Sequence, residues 1–291
     1  MATDALTTPE ALAPVRLPER SLRHDLRAAR IVWQRELLRF KQDRARMVVS
    51  LLQPVLFLFV LGTGLSTLAS RGTGGVNLRT FMFPGVLAMS TMFTALFSAG
   101  SIVWDREFGF LREMLVAPVR RWAIVLGKCL GGATIATFQG VVILCLAGAV
   151  GVPYSPRLLA TLVAELLLLS FTLTALGVMA AARIRQIQSF MALSQALIMP
   201  MFFLSGALYP LGNLPAWLTV LTRIDPMTYA VDPMRRAVFD HLDVPAALRA
   251  ALSPGVTWGG WTVPTLVELA LVAAVGLAML GVAIAEFGRA E

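Results

Sequence analysis

Apolar residues along this chain gather into six runs, at 47–68, 80–103, 124–150, 158–182, 187–208 and 263–284. Each is 22 residues or longer, and a helix rising ~1.5 Å per residue needs about 20 to cross ~30 Å of hydrocarbon. The third, at 27 residues, is long enough to tilt or to begin with an interfacial turn. The pattern predicts an all-α polytopic membrane protein with six transmembrane helices.

Before the first run, Ser21 can cap a helix in which Leu22, Leu26, Ala29, Trp33, Leu37 and Phe40 recur at three- and four-residue steps, with Arg23, Arg27, Arg30 and Lys41 beside them. This reads as an amphipathic helix over 21–46 on the inner membrane face; the alternative is a helix packed on a partner protein. Residues 1–20, rich in Pro, Ala and Thr, read as a disordered tail. Beyond the fifth run, 214–221 is apolar but too short to span. With Pro210 and Pro215 it predicts short re-entrant or interfacial helices on the outer side between helices five and six. Trp217, Tyr229, Trp258 and Trp261 fit an outer aromatic belt.

Composition agrees with the pattern. Of 291 residues 57% are hydrophobic and 14% charged, too few charges for a soluble enzyme or a disordered chain. The two cysteines, Cys129 and Cys145, share one apolar run, which excludes a disulfide scaffold. The net charge of +8 does not make nucleic acid a partner. Segments on the side of the termini hold 17 basic residues and those on the other side 7, so both termini should be cytoplasmic. The first run begins behind a long basic segment, unlike a cleavable signal peptide.

Candidate chemistry is sparse. The lone Gly-Lys, Gly127-Lys128, is followed by Cys129 and lacks the first glycine of a phosphate loop. Both histidines, His24 and His241, lie outside the runs, and neither a metal-hydrolase nor a nucleophile-elbow motif occurs. The chain therefore reads as a non-enzyme that binds no cofactor. Ionisable residues within the runs are Lys128, Glu165 and Glu268. Lys128 should snorkel to the inner headgroups. Glu165 and Glu268 lie ~10 and ~8 Å below the outer interface; they either line an outward cavity that favours cationic, amphipathic cargo, or face water or pair with loop arginines such as Arg157, Arg235 or Arg236. Gln139 and Gln195, near span centres, are further candidates for a cargo path, although a role joining helices by hydrogen bonds is the plainer reading. Gly127 and Gly131 permit a close helix approach.

Between the second and third runs, Trp104, Phe108, Leu111 and Leu115 would share one helical face and Arg106, Gly109, Arg112 and Glu113 the other, with Phe110 among the charges and Pro118 ending the helix. Such a ring reads either as a docking knob or as a stray aromatic on a solvated loop. Here a resemblance becomes specific. Arg106-Glu107-Phe108-Gly109-Phe110-Leu111-Arg112-Glu113-Met114-Leu115, then Ala117-Pro118, Arg121-Trp122 and Leu126-Gly127-Lys128, is similar to the signature loop of ABC-2 type export permeases, the group that includes daunorubicin-resistance and nodulation-factor exporters. Ser205-Gly206, Tyr209-Pro210, 214–218, 225–230 and 234–236 resemble the family's external helices, with Asp225 where asparagine is common.

The resemblance implies a permease subunit of an ABC exporter in the bacterial plasma membrane. Two six-span subunits, as a homodimer, would form the path. Two separate ATP-binding subunits would carry ATP and Mg and dock on the cytoplasmic side. Segment 105–116 would be the coupling helix, with Arg106, Glu107, Gly109, Arg112 and Glu113 at family positions and Phe108, Phe110 and Leu111 beside them; 21–46 would be the connecting helix. Tyr209, Trp217 and Tyr229 would belong to an outer gate. Membrane lipid surrounds such a chain, and its cargo would be a hydrophobic or amphipathic drug or antibiotic. The alternatives are export of a glycolipid or polysaccharide, or a non-transporting scaffold that recruits an ATPase.

Overall fold

The structure, a computed structural model, describes residues 21–64, 77–110, 114, 119–212 and 214–289. The tail 1–20 lies outside them. In chain order α1 (Leu22–Gln42) precedes α2 (Arg44–Leu56), which continues through a π-helical turn, Phe57–Leu61, to Gly62–Gly64. Then come α3 (Leu78–Glu107), α4 (Arg121–Leu144), α5 (Pro156–Arg183), α6 (Ile187–Leu204), α7 (Ala216–Ile224), α8 (Thr228–Asp240) and α9 (Ala246–Leu252). A small antiparallel hairpin, β1 (Thr257–Trp258) and β2 (Trp261–Thr262), leads into α10 (Thr265–Arg289). Six segments are long and apolar enough to span a membrane: Met47–Gly64, the helices α3 to α6, and Thr265–Gly288. The protein is an all-α, multi-pass membrane protein.

The spans end where their sequence breaks the helix. The irregular turn of the third run comes at its far end, not its start: α4 stops at Leu144 and a 3₁₀ turn, Ala147–Val150, leads to Gly151 in the left-handed region. Likewise α6 stops at Leu204, just before left-handed Gly206.

Helix α3 forms the centre of the bundle, with α4, α5, α6 and α8 packed around it. Phe83, Leu87, Met92 and Leu96 of α3 meet Ile143 of α4 and Leu162, Leu166 and Leu173 of α5 in the main core. A second cluster, with Ile102, Val125, Val178, Phe190 and Phe287, closes the end that carries α1 and the last turn of α10; we call this end proximal. There Arg121 donates to the carbonyls of Phe287 and Gly288, each at 2.9 Å. At the opposite, distal end the Thr80 hydroxyl donates to Val150 O at 2.6 Å.

The partner of α1 is the third span of its own chain. Ser21 Oγ accepts from His24 N at 3.3 Å, capping the helix. The face turned inward is Asp25, Ala29, Val32 and Glu36, whereas Leu22 and Leu26 of the sequence stripe stay exposed. The Gly127/Gly131 pair makes this contact possible. A Cβ on Gly127 would stand 2.6 Å from Ala29 O and one on Gly131 2.7 Å from Glu36 Cβ. Trp33 Nε1 adds a bond to Thr134 Oγ1 at 3.1 Å.

At the distal end α8 is wedged among α3, α5 and α10. Arg235 is almost wholly buried, with its guanidinium 4.4 Å from the Phe81 ring centroid and Nη2 donating to Gly206 O. Burial pushes its pKa down to about 10, so it remains a cation at neutral pH.

Candidate functional site

Two features dominate the proximal end: an exposed aromatic tip and a cavity behind it. Helix α3 ends at Glu107, and Gly109 adopts φ +83° with open space where a Cβ would be. A continuous helix from Trp104 through Leu115 is therefore not what forms. The left-handed residue redirects the chain, so the single helical wheel is interrupted at Gly109. Phe108 and Phe110 are 61% and 51% exposed, and Trp104 stacks on Phe108 with ring centroids 5.1 Å apart. Leu111, Arg112 and Glu113 lie outside the described residues.

Arg106 and Glu107, adjacent to that tip, turn back into the protein. Arg106 Nη1 and Nη2 donate to Ala181 O (3.1 Å), Ile184 O (2.5 Å) and Ala182 O (2.9 Å), filling carbonyls left open at the end of α5. Glu107 Oε2 accepts from Ile187 N at 3.1 Å, the first amide of α6. Together they hold the turn between the fourth and fifth spans directly against the aromatic tip.

Lys128 does not snorkel. It is 4% exposed, with Nζ 2.5 Å from Glu36 Oε1, 2.5 Å from Asp105 Oδ2 and 3.1 Å from Ser101 Oγ. A buried ammonium needs close, hydrogen-bonded counter-charges, and two carboxylates from different helices provide them here. Asp105 also takes both Arg35 amino groups, at 3.0 and 3.4 Å, and Arg35 Nη1 reaches Met114 Sδ at 3.3 Å. Nearer the start of α1, Asp25 accepts from Arg120 N at 3.1 Å. Sequence reasoning missed Asp25, Glu36 and Asp105. The signal was present, since Asp25, Ala29, Val32 and Glu36 recur at helical spacing, but an apolar stripe assigns acids to its wet side.

Behind the tip lies a cavity of about 480 Å³, walled by α1, α2, α3, α4 and α6. Phe40, Phe93, Phe97 and Trp104 give it aromatic surface; Ser50, Gln53, Thr94 and Gln139 give it polar groups. Gln139 joins three spans, donating to Ser50 Oγ at 2.6 Å and accepting from Thr94 Oγ1. Pro54 and the adjoining π turn make this stretch of α2 irregular. Among the described residues Gln195 joins no helices; it lies exposed on α6 with Gln188 and Ser189.

Glu165 and Glu268 lie inside the packed bundle, away from that cavity. Glu268 is fully buried, 3.3 Å from Arg236 Nη2, and Arg236 also holds Asp232 at 2.5 Å and Val263 O at 3.0 Å. Glu165 is buried on α5. Of the outer aromatics, Tyr229 is buried, donating to Arg223 O at 2.8 Å and accepting from Trp258 Nε1 at 3.1 Å. Trp217 is 67% exposed, and Tyr209 OH donates to Phe203 O at 2.8 Å. Asp225, at the end of α7, lies in the turn before α8 and accepts from Met227 N at 3.1 Å and Thr228 Oγ1 at 3.3 Å. Burial raises its pKa to about 7 against those hydrogen bonds. Among the described residues no group of three His, Cys, Asp or Glu side chains could hold a metal.

Known proteins of similar sequence fit this architecture. The chain is 30% identical over 243 residues to nodulation protein J of Rhizobium leguminosarum bv. viciae, covering 82% of this chain and 92% of that protein. It is 27% identical over 208 residues to the putative transport permease ycf38 of Cyanophora paradoxa, covering 70% and 72%. Against the probable multidrug ABC transporter permease YbhR of Escherichia coli (strain K12) identity is 29% over 160 residues, 54% of this chain and 43% of that one. The profile described as ABC-2 type transporter matches residues 27–239, a stretch that contains most of α1, the aromatic tip, the cavity lining and all but the last residue of α8. The chain belongs to the ABC-2 type transporter family and is a membrane subunit of an ABC transporter.

Proposed function

We propose that the chain is the permease half of an ABC exporter, working as a pair of identical copies in a bacterial plasma membrane with its termini in the cytoplasm. Two ATP-binding subunits dock at the proximal end and supply ATP and Mg. Phe108 and Phe110 are the rings that enter the ATPase surface, in the manner of buried aromatic anchors at interfaces. Arg106 and Glu107 tie the movement of that tip to the fourth and fifth spans. The basic excess on the proximal segments supports the orientation.

The observation that carries the cargo reading is the cavity. At about 480 Å³ it has the size of sites that enclose drug-sized molecules. Its aromatic walls and scattered hydroxyl and amide groups suit an amphipathic, ring-bearing compound. An oligosaccharide attached to a lipid would need a route outside this volume, so glycolipid export ranks second. YbhR's description as a probable multidrug permease supports the same choice. Copies would meet through α2 and α6, whose exposed surfaces carry Gln53, Gln188, Ser189 and Gln195 beside the cavity, because amides and hydroxyls left facing lipid are unfavourable.

The test begins with the tagged chain purified in mild detergent from its own host. A phosphate-loop ATPase should accompany it at one-to-one stoichiometry and be lost from Phe110→Asp and from Phe108→Asp. Inside-out vesicles should then take up a cationic fluorescent dye when given ATP. A chain that purifies without any ATPase would remove the exporter reading; a bound ATPase without ATP-driven uptake of dye or lipid would favour the scaffold, and dye-independent but lipid-stimulated ATP turnover would favour lipid cargo.

A further inference from the structure

Lys128 joins residues of the cavity wall to the last turn of α3, which leads into the aromatic tip. Glu36 and Ser101 line the cavity, while Asp105 lies three residues before Phe108 on the same final turn of α3. The ammonium is shared by Glu36 on α1 and Asp105 on α3, each at 2.5 Å, and itself belongs to α4. Arg35, half exposed, extends the chain of charges from Asp105 to Met114 beyond the tip. The packing around this cation is tight: Gly127 and Gly131, on either side of Lys128, leave no room for a side chain between α4 and α1. None of the three helices can shift alone without leaving a buried charge unpartnered.

We infer that Lys128 is the positioning residue that makes α1, α3 and α4 move as one body, so that displacement of the Phe108–Phe110 tip reaches the cavity wall. The inference rests on the exporter reading. It assigns to Lys128, Glu36 and Asp105 a part in transmission, distinct from the docking of the ATPase, which belongs to the exposed rings. Helix α1 becomes a moving wall of the cavity, which Glu36, Arg39, Phe40 and Asp43 all line.

The experiment uses the intact complex of permease and ATPase in lipid nanodiscs. A cysteine replaces Gln53 on the cavity wall in a Cys145→Ser background, and its labelling by a water-soluble maleimide is timed without nucleotide and after trapping with ATP and orthovanadate. Trapping should change the labelling rate about five-fold or more, the scale of a modest coupling energy. Lys128→Met should abolish that change while the ATPase stays bound, and Lys128→Arg should retain it. Should Lys128→Met fail to fold, the neutral variant Glu36→Gln, Asp105→Asn, Lys128→Met leaves no lone buried charge and should likewise bind the ATPase without the response. A nucleotide response that persists in either neutralised chain overturns the inference, as does a complex that assembles yet never responds in the parent chain. Loss of ATPase binding in the folded neutral variant overturns it too, by placing the network in docking. A parent chain with no ATPase bound is a different outcome, and it removes the exporter reading itself.

Discussion

Asp225 shows how one residue can set a pH dependence. Its carboxyl bonds the turn between α7 and α8 but is buried, and burial lifts its pKa from 3.8 to about 7. The folded chain thus keeps a proton that the unfolded chain releases near pH 4. Stability from this group is full below about pH 4 and is lost as pH rises towards 7. The thermal midpoint in detergent should fall between about pH 4 and 7, and Asp225→Asn, which keeps the acceptor without the charge, should flatten that fall; an unchanged profile would refute the assignment. Gly127 is the other single position on which much depends. Gly127→Leu would drive a side chain into Ala29 O and Val32, and overpacking of this kind costs about 1–3 kcal/mol. The measurable consequences are a lowered thermal midpoint and faster proteolysis within α1.

At the scale of elements, the loop after α3 departs most from its reading in the sequence. A helical wheel treats Trp104 to Leu115 as one rod, and the wheel fails at the one residue free to take φ +83°. Neighbours in the same motif therefore have different tasks. Arg106 and Glu107 are structural clamps on the ends of α5 and α6, whereas Phe108 and Phe110 are free surface. Arg106→Ala removes three hydrogen bonds from a charged donor, each worth about 1.5–3 kcal/mol before relaxation. It should lower thermal stability and expose the turn at 184–186 to protease, while Phe110→Asp should leave the thermal midpoint of the isolated permease within about a degree, as surface substitutions usually do. Equal destabilisation by both variants would contradict this division. The motif was legible as a group; the separate contacts of its residues depend on which carbonyls and amides lie opposite them.

For the whole molecule, the decisive contrast is between peripheral spans. Helices α2, α6 and α10 are all largely uncovered, yet α10 presents Leu266, Leu277 and Val282 outward while α6 presents Gln188, Ser189 and Gln195 among Met191, Leu193, Met199 and Phe203. Lipid suits the first surface and a second protein the other. In a Cys145→Ser background, Gln195→Cys should cross-link between copies in native membranes and Leu277→Cys should not. The reverse pattern would move the shared face to α10 and leave the cavity open to lipid. Copies that never cross-link at either position would argue for a sister permease in place of a second copy.

The number of spans, their helical nature and the cap at Ser21 were readable in the sequence, because they derive from local periodicity, run length and short-range hydrogen bonding. The basic asymmetry of the segments was equally plain. Partnership was not. Lys128, Gln139, Gln195, Glu165 and Glu268 look alike as polar residues in apolar runs, but Lys128 pairs with Glu36 across 92 positions, Gln139 reaches Ser50 across 89, and Gln195 stays on the surface. Periodicity states which face a residue occupies and says nothing of what is opposite. The close seat of α1 on α4, which two glycines permit, converts an apparent snorkelling lysine into the buried link between cavity and tip.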